Sequence, residues 1–158
     1  MSRRDTGAIP EALSDAMRAE LNARWNAHLG VQRIGVMLDI VSRDELRAVV
    51  DPIAPHHRGG MGTPAVNGPT IAAVFDLVTG LAGSIQALGK RVGVAQLNIQ
   101  FLRPVMGNRF EVVGRPDKVG KSIVFVASEL LDEDGAVCAK ASGLVSVSQA
   151  DGTGELAL

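Results

Sequence analysis

The chain has 158 residues, 46% hydrophobic and 21% charged, with a formal net charge of −1. Those values describe a globular chain of one-domain size and exclude a disordered one. With aromatics at 3%, no Tyr and no basic excess, it lacks the charge and the stacking side chains that a nucleic-acid surface needs. Met1-Ser2-Arg3-Arg4-Asp5 has no apolar run behind it, so no secretory signal is expected. The single cysteine, Cys138, permits no intrachain disulfide and suits a reducing, cytoplasmic setting. It lies in a strand-like run with no base nearby in sequence and reads as a small buried hydrophobe.

Pro10 to His28 predicts a first helix, with Leu13, Met17, Leu21 and Trp25 near helical spacing. Gly30 is expected to end it. Leu29 to Ile40 alternates loosely and predicts a first strand, and Leu46 to Val50 a second, stopped by Pro52. Residues 54–68 are rich in Gly and Pro and form a loop of a length that is often functional. Its Gly59-Gly60-Met61-Gly62 run lacks the Gly-Lys-Ser/Thr of a nucleotide phosphate loop. The adjacent His56 and His57 point opposite ways on an extended chain and no Cys or acidic cluster joins them, so no metal site is expected.

Pro69 to Leu88 predicts a long helix, with Pro at its first position and Gly89 past its end. Its length nearly suits a bilayer, but Asp76, several glycines and the amphipathic strands that follow favour a buried core helix over a membrane span. Val92 to Leu102 alternates, with Ala95, Leu97, Ile99 and Phe101 on one face and Gln96, Asn98 and Gln100 on the other. Arg109 to Pro116, Lys121 to Leu131 and Ala136 to Ser148 complete four strands, the last two joined by the turn signal Asp132-Glu133-Asp134-Gly135. The tail from Ala150 is expected to fray, and residues 1–30 form a helical extension. The whole chain, 1–158, reads as one α+β domain. An antiparallel sheet curves around a helix that is apolar on every side and must be buried on every side.

Asp76 is the only charged residue in that helix, and Ala72, Ala73, Thr79 and Gly80 lie three and four positions away. Small neighbours leave room beside the carboxylate. An acid lining a small-residue cavity is a functional candidate; an exposed helix edge, or a cationic partner from another strand or subunit, explains the same pattern. At the helix start, Gly68, Thr70 and Ile71 offer main-chain N–H groups, which suit a developing oxyanion.

From about Pro55 to Val147 the chain resembles the PaaI-like branch of the hotdog acyl-CoA thioesterases. The resemblance lies in the Asn67-Gly68-Pro69 turn with Asp76 nine residues after Asn67. It continues in the strand Leu97-Asn98-Ile99-Gln100-Phe101-Leu102-Arg103-Pro104, in Arg115 to Lys121 followed by Ile123-Val124-Phe125-Val126, and in the Asp132 to Gly135 turn. It implies a hotdog fold, in which a curved sheet wraps one long helix and two chains pair sheet edge to sheet edge as a dimer or a dimer of dimers. It also implies hydrolysis of acyl-CoA thioesters, coenzyme A being part of the substrate and no cofactor being needed. Asp76 would activate water or attack directly, Gly68 N–H would hold the thioester oxygen, and Asn67 would help orient the carbonyl. His57, Arg58, Thr70, Gln96, Arg115 and Lys121 are the candidate substrate contacts, with Arg103 and Lys118 as further cations near strand ends.

The chain departs from the family pattern at supporting positions. Asn67 replaces a His, Pro69 replaces a second Gly, and Val94, with Gln96 close by, stands where a Ser or Thr assists. Met61 is nearest in spacing to an Asn that relatives carry before the turn. These changes keep a non-catalytic acyl-CoA-binding protein in view. An enoyl-thioester hydratase or dehydratase is less favoured, because its chemistry uses a His near the helix and the histidines here are His28, His56 and His57.

Overall fold

A computed structural model describes residues 12–60 and 62–151. The expected beginning of the first helix at Pro10, Met61 and the tail from residue 152 lie outside the described residues. Two short helices, α1 (Asp15–Asn26) and α2 (Leu29–Ile34), precede strands β1 (Met37–Ser42) and β2 (Glu45–Val50). The long helix α3 (Gly68–Gln86) follows, then β3 (Lys90–Phe101), β4 (Phe110–Val119), β5 (Ile123–Asp132) and β6 (Val137–Asp151). The six strands form one antiparallel sheet in the order β1-β2-β4-β5-β6-β3. Strands β2 and β3, consecutive in sequence, therefore lie far apart in the sheet, and α3 crosses its face to connect them.

The expected first strand is corrected at its start. Residues 29–34 are helical, and the strand begins only at Met37. Gly30 does not stop the first helix; it lies inside α2, and its N–H is held by His28 Nδ1 at 3.1 Å. The first helix already ends at Asn26, and it is α2 that stops at Gly35, whose φ of +72° needs a residue without a Cβ. Loose alternation over a short apolar run does not separate a strand from one helical turn.

The helix packs on the sheet through Ile71, Val74, Phe75, Val78, Leu81 and Ile85, all buried with Leu38, Ile40, Leu46, Val50, Phe110, Val112 and Leu130. Each such side chain contributes roughly 1.5–3 kcal/mol when fully removed from water. Glycines bring the two layers together: a Cβ at Gly114 would strike Val78, and one at Gly143 would strike Thr79. The helix is not buried on every side, as its composition suggested. Pro69 and Asp76 are exposed and Ala72, Ala73, Leu77 and Gly80 are half-buried, so one stripe of α3 stays open.

The two edges of the sheet differ. The β1 edge is closed by side chains of α1: Asn26 accepts from Leu38 N–H (2.8 Å) and donates to Leu38 O (2.9 Å), Asn22 accepts from Ile40 N–H (2.7 Å), and Arg18 donates to Val41 O (2.8 Å). No described strand or side-chain lattice of this kind covers the outer edge of the 12-residue strand β3. A long open edge is a template for pairing with another strand.

Strand β3 also corrects the expected alternation. The register passes from Val94 opposite Val145 to Gln96 opposite Leu144, leaving Ala95 as an extra residue. The bulge changes the phase, so Val92 and Val94 share the inner face with Leu97 and Ile99, and Ala95 is exposed. Val94 Cγ2 would meet a Cβ at Gly80 at 3.4 Å, one helical turn beyond Asp76.

Candidate active site

Two features of α3 matter: its open stripe and its start. Asp76 sits midway along the stripe, exposed, and its carboxylate has no hydrogen bond or ion pair with any described residue. The exposed-edge alternative, rather than burial in an apolar interior, describes it within a single chain. Small residues at positions 72, 73 and 80 flank it, so no bulky side chain three or four positions away covers the carboxylate, and at the next turn of the stripe Gly80 leaves it open.

At the start of α3, Asn67 is the N-cap. Its Oδ1 accepts from Thr70 N–H at 2.8 Å, and its Nδ2 donates to the carbonyls of His56 (3.2 Å) and Arg58 (3.4 Å). Asn67 O accepts from Ile71 N–H at 3.2 Å. Of the first four main-chain nitrogens, Pro69 has no hydrogen, and those of Thr70 and Ile71 are satisfied. Gly68 N–H is left without an acceptor among the described residues. Phe101, at the end of β3, stands beside it, 3.9 Å from where a Gly68 Cβ would be.

The side-chain amide of Asn67 is therefore committed to holding the turn. Both its oxygen and its nitrogen are used, so the expected role of orienting a carbonyl is not available to it in this arrangement. Helix capping is what Asn does well, and the sequence alone did not separate that role from a catalytic one.

The loop before α3 is built around His57, which is 2% exposed. His57 Nδ1 accepts from Ala54 N–H at 2.9 Å and Nε2 lies 2.7 Å from Ile34 O. The first bond fixes the tautomer, so Nε2–H donates to Ile34. Burial pushes the imidazole below its ordinary pKa, outweighing the opposite pull of the Ile34 bond. A buried, neutral, doubly bonded imidazole has no ring nitrogen left to bond substrate, which corrects the polar contact expected of His57. Arg58 is corrected likewise: its guanidinium donates to the carbonyls of Pro64 (3.1 Å) and Gly107 (2.6 Å), stapling the loop. Main-chain bonds from Gly59 N to Ala65 O and from Val66 N to Val105 O complete the loop.

Other candidates lie elsewhere. Gly114 faces Val78 of α3, so its neighbour Arg115 projects to the opposite face of the sheet. There it bonds Glu45 at 2.7 Å, and Arg47 and Arg115 together hold that carboxyl below its ordinary pKa. Gln96 lies on that outer face as well, with Asn98 and Gln100. Lys121 is exposed in the β4–β5 turn, level with Gly93 through Ser146. It is roughly 25 Å along the sheet from Phe101 and Gly68. None of the three joins the start of α3 within one chain. Cys138 is buried, and burial raises its thiol pKa, which is the inert state expected for it. No cluster of three or more His, Cys, Asp and Glu side chains suited to a metal occurs among the described residues.

Thr70 does lie at the site. With Pro69 and Ala73 of α3, Asn67, His56, His57, Arg33 and Ile34, it lines an open cavity of about 310 Å³. Arg33 is a lining residue that sequence reasoning missed. It belongs to a helical turn read as strand, and no motif or spacing connects it to residue 70.

Gly68 and Asp76 are eight residues apart on one helix. At 1.5 Å and 100° per residue that is about 12 Å along the axis and roughly 80° around it. One thioester group cannot touch both on the same chain.

A six-stranded antiparallel sheet around one central helix, with an acid on the helix stripe and a free N–H at its start, defines a hotdog protein. Residues 64–139 match the family model described as Thioesterase superfamily. A solved thioesterase from Haemophilus influenzae superposes with a TM-score of 0.73 at 22% identity, covering 83% of this chain and 90% of its own. The Escherichia coli PaaI protein from the phenylacetic acid degradation operon gives a TM-score of 0.74 at 15% identity, covering 89% and 100%. A candidate esterase of Thermoplasma volcanium is 28% identical over 80 residues, half of this chain; the match spans 59% of that relative's length.

Proposed function

We propose that this protein hydrolyses acyl-CoA thioesters to a free acid and coenzyme A, in a site shared by two chains. The observation that carries the reading is the pair formed by the unsatisfied Gly68 N–H and the unpaired, exposed Asp76. The match of residues 64–139 to the superfamily model and the esterase among the relatives support hydrolysis in general; the two residues supply the finer reading.

The thioester oxygen accepts from Gly68 N–H of one chain at the positive end of α3, where negative charge develops best. Asp76 of a second chain takes a proton from water, whose oxygen attacks the carbonyl carbon. The tetrahedral oxyanion collapses, the C–S bond breaks, and the thiolate leaves with the proton that Asp76 accepted. Direct attack by Asp76 would instead pass through a mixed anhydride that water then cleaves. The 12 Å offset of Gly68 and Asp76 within one chain requires a second chain for either route. The open β3 edge supports pairing of two chains there, and such a two-fold contact would bury the α3 stripe.

The commitment of the Asn67 amide favours a second reading, an acyl-CoA-binding protein without turnover. Release of free thiol from a panel of short, medium, branched and aryl acyl-CoA esters separates the two. The expected result is hydrolysis of at least one class, reduced about 100-fold or more in Asp76→Asn, with an unchanged melting temperature because Asp76 holds no other group. Equal turnover by Asp76→Asn would remove Asp76 from the chemistry. Ligand-induced stabilisation without thiol release by the wild type would establish the second reading.

A further inference from the structure

We propose that Arg33, with the ring of His56 and the hydroxyl of Thr70, forms an anion subsite that binds an oxyanion carried by the thioester substrate. The inference deepens the proposed function and rests on its substrate class.

The cavity at the start of α3 has two kinds of wall. Ile34, Pro69 and Ala73 are apolar. Of its polar residues, His57 and Asn67 have every side-chain donor and acceptor engaged in holding the loop. That leaves Arg33, His56 and Thr70. Arg33 is exposed in the last turn of α2 and makes no ion pair among the described residues. This contrasts with Arg18, Arg47, Arg109 and Arg115, each of which meets an acidic side chain. His56 is in ring contact with His57, centroids 4.0 Å apart, and its ring nitrogens are open. Thr70 spends its N–H on Asn67, and its hydroxyl has no partner among the described residues.

A guanidinium at a mostly apolar pocket, with a hydroxyl and an imidazole lining the same cavity, suits a planar or tetrahedral oxyanion held by two or more donors. The volume of about 310 Å³ is at the low end for small-molecule sites, so it accommodates one part of a substrate and not the whole. Arg33 and His56 both lie outside residues 64–139, the part that matches the superfamily. The subsite is thus built by this chain's own N-terminal segment against α3.

The oxyanion has two possible sources, a phosphate of the coenzyme A carrier or a carboxylate at the far end of the acyl group. Four substrates separate them: butyryl and glutaryl esters, each on coenzyme A and on pantetheine, which lacks the carrier's phosphates. Steady-state thiol release is measured for wild type, Arg33→Ala, Arg33→Lys and His56→Ala, with melting temperatures as a check on folding. If the carrier is held, Arg33→Ala raises KM about tenfold for both coenzyme A esters relative to their pantetheine counterparts. If the acyl carboxylate is held, Arg33→Ala abolishes a wild-type preference for glutaryl over butyryl on both carriers. Arg33→Lys recovers part of either effect, and His56→Ala gives a smaller loss in the same direction. Unchanged substrate ratios in a folded Arg33→Ala protein overturn the subsite. Should the wild type hydrolyse nothing, calorimetric titration with the same four esters reads the subsite directly. Weaker binding by Arg33→Ala then supports it while the hydrolytic reading fails, and no binding by the wild type overturns both.

Discussion

His57 Nε2 lies 2.7 Å from the main-chain oxygen of Ile34, so a buried imidazole fastens the loop before α3 to the end of α2. With Ala54 N–H donating to Nδ1, the ring is held neutral, and burial keeps its pKa below the ordinary value. Between the folded and unfolded pKa values the unfolded chain binds more protons, so stability rises with pH there. The contribution is complete above the unfolded value, about 6.5, and is lost as the pH falls below it toward the folded value. Melting curves at about pH 7.5 and about 5.5 should show a lower midpoint at the acid end. In His57→Ala the midpoint should drop at both pH values, by the equivalent of about 1–3 kcal/mol at neutral pH, with less change between them. A wild-type midpoint that does not move over this range would contradict the account.

Asn67 caps α3 and does not reach toward substrate. Asn67→Ala should cost about 1 kcal/mol, the usual loss for a helix cap. Asn67→Ser can still accept from Thr70 N–H and should recover much of that stability and keep the turnover number near wild type. A Ser variant that is stable yet inactive would return Asn67 to the chemistry.

Two glycines one turn apart in α3 should respond differently to alanine. A Cβ at Gly83 would lie 2.5 Å from Val145 Cγ1, whereas one at Gly80 meets Val94 at ordinary contact distance, 3.4 Å. Gly83→Ala should therefore destabilise by about 1–3 kcal/mol through overpacking. Gly80→Ala should gain up to about 1 kcal/mol from helix propensity. Denaturant unfolding of the two variants tests this, and the same sign for both would count against the packing described here.

A shared site predicts complementation. Gly68→Pro removes the one free N–H at the start of α3, and Asp76→Asn removes the acid from its stripe. Each variant alone should be inactive. Equal amounts unfolded and refolded together should yield about a quarter of wild-type activity, because half of the two-fold dimers then hold one intact site. No recovery, with mixed dimers present by native mass spectrometry, would place both residues in a single-chain site.

Much of the fold was readable from local pattern. The helix from 68 to 86, the strands after it and the Asp132–Gly135 turn rest on periodicity, Pro and Gly placement and short-range bonds, all of which are encoded within a few residues. Asp76 stood out because it is the one charge in an apolar helix. What the pattern could not carry was anything set by contacts distant in sequence. The extra residue Ala95 shifts the strand phase only when β3 is laid against β6, so Ala95 read as inward-facing with Leu97 and Ile99. His57 and Arg58 read as candidate substrate contacts, and only the folded loop shows the first bonded to Ala54 and Ile34 and the second to Pro64 and Gly107.

The sequence by itself determined an α+β chain with one long apolar helix, an acid midway along it and a glycine turn at its start. Those follow from side-chain chemistry and spacing along a single element. Only the tertiary structure decided which polar groups are already used, which sheet edge is covered by Asn22 and Asn26, and which cation, Arg33, is left facing the cavity. Hydrogen-bond partners are chosen in space, and a group's availability depends on neighbours that can be dozens of residues away.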